Sequence, residues 1–280
     1  MKQKAKTSPG RAAVFLLLLL GAFTMVVPFV WMLSTSLKEA KLVYEIPPRW
    51  IPDPVDWHNY VEVWTKSNLV TGIKNSVIVS AGVLFFGTIS STMAAFSFAK
   101  LNFPGKKLCF MALLSTMMIP FVVLLVPQYI LYTRVHWINT LLPLIVPGAL
   151  GNASMIFFLR QYMQGLPTGL IEAARIDGCS YFKIYWRIFM PLAKPAAVSN
   201  IIMIFMATWN DYLGPVIFVN DAKKQTVQVA IAMLNSYHET QTDIPVIMAA
   251  ALIALLPVLI LFTVCQKYFV ESMALSGIKG

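Results

Sequence analysis

Polar and apolar positions along this chain do not alternate; they segregate. Residues 12–37, 75–99, 108–133, 137–159 and 244–266 contain no Asp, Glu, Lys or Arg, and a sixth run starting at Pro195 is interrupted only by Asp211. Each run reaches the ~20 residues that a helix needs to cross the hydrocarbon core of a bilayer. Backbone polar groups in lipid must be satisfied within the segment, so such runs are read as helices. Strands of a membrane barrel would instead show alternating polarity in segments of about ten residues, and the sequence has no such pattern. The pattern predicts an all-α polytopic membrane protein with six transmembrane helices.

The connections complete the organisation. Residues 1–11 form a tail, 12–37 the first transmembrane helix, 38–70 an outer loop, 71–269 a body of five helices, and 270–280 a second tail. The first run follows a basic stretch (Lys2, Lys4, Lys6, Arg11), as a signal peptide would. It is longer than the ~7–15 residues of a signal h-region, lacks an A-x-A site and ends near Trp31, so it is expected to remain as a span. Within the outer loop, Trp57, Tyr60, Val61 and Trp64 recur at helical spacing behind a capping Asp56, which predicts a short helix lying on the outer interface. Lys and Arg concentrate in alternate connections. Lys100, Lys106 and Lys107 in the second connection, and Arg160, Arg175, Lys183, Arg187 and Lys194 in the fourth, vote for the cytoplasm, which puts both termini there too.

Composition agrees with this plan. The chain is 58% hydrophobic and 12% charged, against about 25% charged in a soluble domain. Its net charge of +10 is dispersed among the spans, which fits anionic membrane lipid as a neighbour and not a nucleic-acid surface. Cys109, Cys179 and Cys265 are not spaced as pairs and read as free thiols. His58, His136 and His238 lie far apart in outer segments, so no metal site is expected. No G-x-x-x-x-G-K-[ST] loop and no nucleophile–base arrangement is present, so the chain is read as neither an ATPase nor another enzyme, with no catalytic residues and no bound cofactor.

Residues 166–191 break the apolar monotony. Thr168 is placed to cap a helix over 168–177, with Glu172 favoured near its N-terminus and Gly178 as the stop. Ala174 and Gly178 are four apart, with Ala173 beside them, which predicts a face without bulk that another protein surface can approach. Ser180 is placed to cap a second helix over 181–190, closed by Pro191. Its aromatic residues and the pair Lys183 and Arg187 suit an inner interface.

Glu172-Ala173-Ala174, Gly178, Ile188 and Met190-Pro191 resemble the coupling pattern of ABC importer permeases, with Met where that family usually has Leu. The resemblance runs over almost the whole chain and is to the carbohydrate-uptake, maltose-type second permease. It is carried by Pro48-Arg49-Trp50, Asn59-Tyr60, Asn75-Ser76, the stretch from Ala94 to Ala99, Arg160-Gln161-Tyr162, Ile176-Asp177-Gly178, Trp209-Asn210-Asp211-Tyr212 and the tail Gly277 to Gly280. It implies a type I ABC importer permease architecture in the cytoplasmic membrane of a bacterium or archaeon. It further implies a second permease subunit, a cytoplasmic ATPase dimer that holds ATP and Mg, and an extracytoplasmic substrate-binding protein. Glu172, Ala173, Ala174, Asp177 and Gly178 would then dock the ATPase.

Asp211 is the only acid inside an expected span, and an ionisable residue there is a functional candidate by default. Trp209, Asn210 and Tyr212 flank it, and Gly214-Pro215 would loosen the helix beyond. Together the four offer an aromatic, hydrogen-bonding face for a hydroxylated solute in a translocation pathway, or else Asp211 only marks the outer end of the fifth span, where water reaches it. Ser90, Ser91, Thr92 and Ser97 offer a second lining, or else pack helices together. The polar segment Asn220–Asp243 is expected to be a long outer loop, which the resemblance implies meets the binding protein and which its Lys223-Lys224 pair equally suits to plain solvation. A sugar is thus the expected cargo. Alternatives are glycerol phosphate or a related solute, and, in a different class, ion-coupled secondary transport.

Overall fold

The computed structural model describes residues 9–236 and 243–277, and every described element is helical. The long helices are α1 (Pro9–Ser36) and α3 (Leu69–Lys100), separated by the short α2 (His58–Lys66). Next come α4 (Lys106–Thr116), α5 (Phe121–Arg134), α6 (Leu142–Ala149) and α7 (Ala153–Gln164). The 166–191 segment holds α8 (Gly169–Ile176), α9 (Tyr181–Ile184), a π turn at Tyr185–Phe189 and α10 (Met190–Leu192). The chain closes with α11 (Lys194–Trp209), α12 (Leu213–Phe218), α13 (Val227–Ser236) and α14 (Ile244–Gly277).

Four segments among the described residues are long and apolar enough to cross a membrane: Ala13–Ser36, Leu69–Lys100, Leu142–Gln164 and Ile244–Lys267. Two more spans arise if each of two bent pairs counts as one. These are α4 with α5, bent by 98°, and the helix ending at Leu192 with α11, bent by 78°. Uncharged runs are therefore not always single helices. The run 108–133 breaks because Pro120 disfavours helical geometry at Ile119. The run 137–159 breaks at Gly151, whose φ is +112°, and restarts at Asn152, whose side chain accepts the N–H groups of Ser154 and Met155. The expected outer loop 220–243 is shorter than predicted, because Val227–Ser236 is helix and buries Val227, Val229, Ala230 and Leu234. His238 lies outside the described residues.

The chain forms two compact units. One contains residues up to 69 together with 231–255. Here the end of α1 is tied to α2. The Asn59 amide donates to the carbonyls of Ser36, Lys38 and Asp56 at 3.0, 2.9 and 3.3 Å, and the Tyr60 hydroxyl pairs with Ser36 at 2.9 Å. Trp31 meets Trp50 edge to face at 5.1 Å and carries the buried Lys38 ammonium 4.2 Å over its ring. Burial pushes the Lys38 pKa down, while nearby Glu45 pulls it up. Asp56 accepts the His58 N–H, as expected of a helix start, and Trp57 just before α2 and Val61 and Trp64 on it are exposed. That leaves an apolar face available to an interface.

The other unit contains 70–230 and 256–280. Within it α3 packs closely on α6. A Cβ on Gly87 would lie 2.6 Å from the Gly148 carbonyl oxygen, and one on Gly148 would lie 2.8 Å from Val83. Small residues let helix backbones approach in this way. The α6–α7 break is held by α3: Ser90 donates to the Ala149 carbonyl at 2.9 Å, and Ser91 accepts the Asn152 N–H at 3.2 Å. Of the two roles open to these serines, packing is the one observed. Asn75 donates to the carbonyls of Lys223 and Gln225 and Ser76 accepts the Val227 N–H, fixing the entry to α13.

Gly87→Ala must push α3 from α6, because the atom in its way is backbone. It should lower the thermal stability of the purified protein by about 1–3 kcal/mol, the usual cost of overpacking. Gly21→Ala, with open space around the added methyl, should instead be neutral or stabilising by up to ~1 kcal/mol. Equal thermal shifts for the two variants would overturn the close-approach account.

Candidate functional site

Two places bring chemistry together, and both lie within the larger unit. The first is a cavity of roughly 530 Å³ between α3, α5, α6, α11 and α12. Val79, Val83, Phe121, Leu144, Ile204 and Phe218 supply apolar wall, and Gln128, Tyr132, Asn152, Thr208, Asp211 and Thr226 supply polar groups. Asp211 is the only charged residue in the lining. It does not sit inside a continuous span. Helix α11 ends at Trp209, and Asp211 occupies the turn before α12, where its carboxylate accepts the Gly214 N–H at 3.2 Å. Gly214-Pro215 therefore opens a new helix and does not loosen an existing one. A Cβ on Gly214 would lie 2.7 Å from Asp211 Oδ2, so the carboxylate would have to shift to admit one. Thr226 is buried, and its hydroxyl has no hydrogen-bond partner among the described residues.

The turn separates the four residues grouped by sequence. Only Asp211 lines the cavity. Trp209 is 1% exposed and stacks on Phe205 at 5.3 Å. Asn210 is exposed and accepts a hydrogen bond from Gln228 at 3.2 Å, and Tyr212 faces outward. Consecutive residues share a face neither in a helix nor at its end, so a tetrapeptide cannot line one wall. Gln128, Tyr132, Asn152 and Thr226 escaped the sequence reading. Gln128 and Asn152 did carry a signal, as amides inside uncharged runs.

Asn139 buttresses one end of this region. It holds a positive φ of 63°, which asparagine tolerates better than most residues. Its side-chain oxygen accepts the N–H groups of Asn220 and Asp221 at 2.7 and 2.9 Å, and its carbonyl accepts from Lys224 at 2.7 Å. The segment leaving α12 is thereby fixed against the turn before α6.

The second place is the 166–191 segment. Gly178 ends α8 as expected, with φ at +74°. The Gly178 N–H bonds to the Arg175 carbonyl at 3.0 Å, and that of Cys179 to the Ala174 carbonyl at 2.9 Å, the paired closure of a glycine-terminated helix. Arg175 clamps the turn by donating to the Cys179 carbonyl and lying 4.8 Å over Tyr181. Ser180 accepts the Lys183 N–H and starts α9 as expected. The Thr168 side chain makes no cap bond.

The predicted small face is not one face. Ala174 is buried in a cluster with Met163, Ile184, Tyr185 and Phe189, whereas Glu172, Ala173, Asp177 and Gly178 are exposed. The helix stops at Ile176, and the left-handed Gly178 takes the chain out of register with Ala174. What α8 presents outward is Ala173 beside Ile176, a large apolar side chain that is 86% exposed. Pro191 does not close the second helix, which continues to Leu192. The wider π turn ahead of it relieves the clash of the proline ring with an earlier carbonyl. Tyr185 in that turn bonds to Thr92 of α3 at 2.8 Å, and Phe189 packs on Phe96 at 5.0 Å.

Comparison with known proteins agrees with this architecture. Residues 87–275 match the family described as binding-protein-dependent transport system inner membrane component. The arabinooligosaccharides transport system permease protein AraQ of Halalkalibacterium halodurans is 30% identical over 99% of this chain and 100% of its own length. The melibiose/raffinose/stachyose import permease protein MelC of Bacillus subtilis is 32% identical over 91% of each chain. Among solved structures, a chain of a bacterial ABC transporter that imports the acidic polysaccharide alginate superposes with a TM-score of 0.78. It is 22% identical and covers 96% of this chain and all of that one, so the fold is shared. By its helices, its sequence and its fold, this chain belongs to the inner membrane components of binding-protein-dependent transport systems, and is a membrane permease subunit and not an enzyme.

Proposed function

We propose that this chain forms part of the translocation pathway for an uncharged sugar or oligosaccharide. The observation that carries the reading is the cavity with a single carboxylate, five polar uncharged groups and no cation in its lining. Sugar hydroxyls donate to a carboxylate and exchange hydrogen bonds with amides and hydroxyls. A phosphate ester or a uronic acid would face unpaired repulsion from Asp211, so the glycerol phosphate alternative is disfavoured. The names of the relatives, permeases for arabinooligosaccharides and for melibiose, raffinose and stachyose, support the same class of cargo. Membership of a binding-protein-dependent family argues against ion-coupled transport by this chain alone.

In this reading the chain crosses the cytoplasmic membrane of a bacterium or archaeon six times, with both termini inside. It pairs with a second permease subunit and receives cargo from an extracytoplasmic binding protein. ATP and Mg are held by a cytoplasmic ATPase dimer that docks on the 166–191 segment. Ala173 and Ile176, with Glu172, Asp177 and Gly178 around them, make the exposed docking surface, while Ala174 anchors that surface to the core. Movement imposed on α8 reaches α3 through Tyr185 and Phe189, which contact Thr92 and Phe96.

Two measurements test the two sites. In proteoliposomes of the complete transporter, Asp211→Ala should slow uptake at limiting sugar about tenfold, the loss of one hydrogen bond to a charged group. Asp211→Asn should stay within about twofold, because an amide keeps an acceptor of similar shape. Full uptake by the alanine variant would remove Asp211 from the pathway. For docking, cysteines at Ala173 and Ile176 should crosslink to the ATPase in the assembled complex, and a cysteine at Ala174 should not. The reverse pattern would assign docking to a different face of α8.

A further inference from the structure

Where α3, α4 and α7 meet, Lys106 and Arg160 come together without a counter-charge among the described residues. The Lys106 ammonium donates to the Leu101 carbonyl at 2.7 Å, and Arg160 Nε donates to the Phe98 carbonyl at 3.3 Å. Both acceptors lie at the end of α3. Lys106 and Arg160 are close enough to repel one another. Lys107 is exposed on the next position of α4. None of the three forms an ion pair among the described residues, and most N–H donors of the Arg160 guanidinium and the Lys106 ammonium remain unused.

The corner is also built, not loose. The Arg160 guanidinium lies 4.0 Å over the Phe110 ring, and Phe98 packs on both Phe110 and Phe103 at 5.3 and 5.9 Å. Two half-buried cations held together against repulsion cost energy that an aromatic ring and two carbonyls offset only partly. Cations that merely fix topology need only be on the correct side of the membrane and have no reason to converge. Beside them, Leu108 and Met111 of α4 are 73% and 57% exposed on an apolar face. Concentrated positive charge bordering an exposed apolar helix face matches a molecule with an anionic head and a hydrocarbon tail.

We propose that Lys106 and Arg160, assisted by Lys107 on the adjoining exposed side of α4, bind the headgroup phosphate of an anionic phospholipid whose acyl chains run along the exposed face of α4 at Leu108 and Met111. The site is independent of the sugar cavity and of ATPase docking, so its test does not depend on either. The planar guanidinium and the lysines take the phosphate oxygens, and Phe110 fixes the guanidinium.

The test is lipid titration of the purified, complete transporter in detergent, followed by native mass spectrometry. Phosphatidylglycerol should bind at least about tenfold tighter than phosphatidylcholine. Each cation removed should weaken that binding about fivefold, as expected for one basic residue at an anionic surface. Lys107→Gln, which breaks no intramolecular bond, provides the variant that keeps the fold. Lys106→Gln/Arg160→Gln should lose most of the preference. Lys74→Gln/Lys223→Gln, an equal loss of charge at exposed positions distant in sequence, should leave binding within about twofold. Equal preference in wild type and in the 106/107/160 variants would overturn the proposal. Displacement of the lipid by millimolar inorganic phosphate would also overturn it, assigning the corner to a free ion.

Discussion

Interruptions of an apolar helix leave backbone N–H and C=O groups that lipid cannot satisfy, and this chain answers several of them with side chains. Ser90 and Ser91 close the α6–α7 break, Asp211 takes an N–H at the start of α12, Asn139 takes two beyond its end, and Asn75 with Ser76 fixes the entry to α13. The breaks are what make room for a cavity. A bundle of unbroken apolar helices would pack shut and offer a sugar no polar group. The residues that satisfy the breaks are thus also those that place Asn152, Thr226 and Asp211 around one volume.

The same unit links that volume to the segment proposed to receive the ATPase. Glycines let α3 and α6 approach to backbone contact, which makes α3 a rigid reference for the cavity wall. At its other end α3 carries Thr92 and Phe96, against which Tyr185 and Phe189 pack. Ala174 belongs to that cluster, so the exposed tip of α8 is continuous with the core. A short helix fixed on one face and bare on the other transmits displacement where a solvated loop would absorb it. The π turn at Tyr185–Phe189 lies in the middle of this route and accommodates Pro191 without breaking the helix.

Charge is distributed by task. The cavity holds one carboxylate, suited to neutral hydroxylated cargo. The basic residues lie outside it, and the corner at Lys106 and Arg160 fits the membrane and not the solute. In a family whose members take chemically different cargoes, the sign and number of charges in the lining discriminate early. Burying the wrong sign costs several kcal/mol, whereas a misplaced hydroxyl costs about one.

The sequence by itself determined the class. Runs free of charge dictate membrane helices, the position of lysines and arginines argues their orientation, and the spacing from Glu172 to Pro191 points to a transporter permease. It also located Gly178 and Ser180 correctly, because caps and left-handed glycines are local chemistry. Three-dimensional packing alone decided which residues share a site. Trp209, Asn210, Asp211 and Tyr212 are neighbours in sequence but part at the end of α11, so one lines the cavity and three do not. Ala174 and Gly178 have helical spacing but belong to opposite environments, because the helix ends between them. Gln128, Asn152 and Thr226 meet Asp211 only because α3 and α6 come close and the interrupted runs bend. Periodicity reports which face a residue takes within one element. Where a run breaks, and what lies across the gap, is set by contacts between elements distant in sequence.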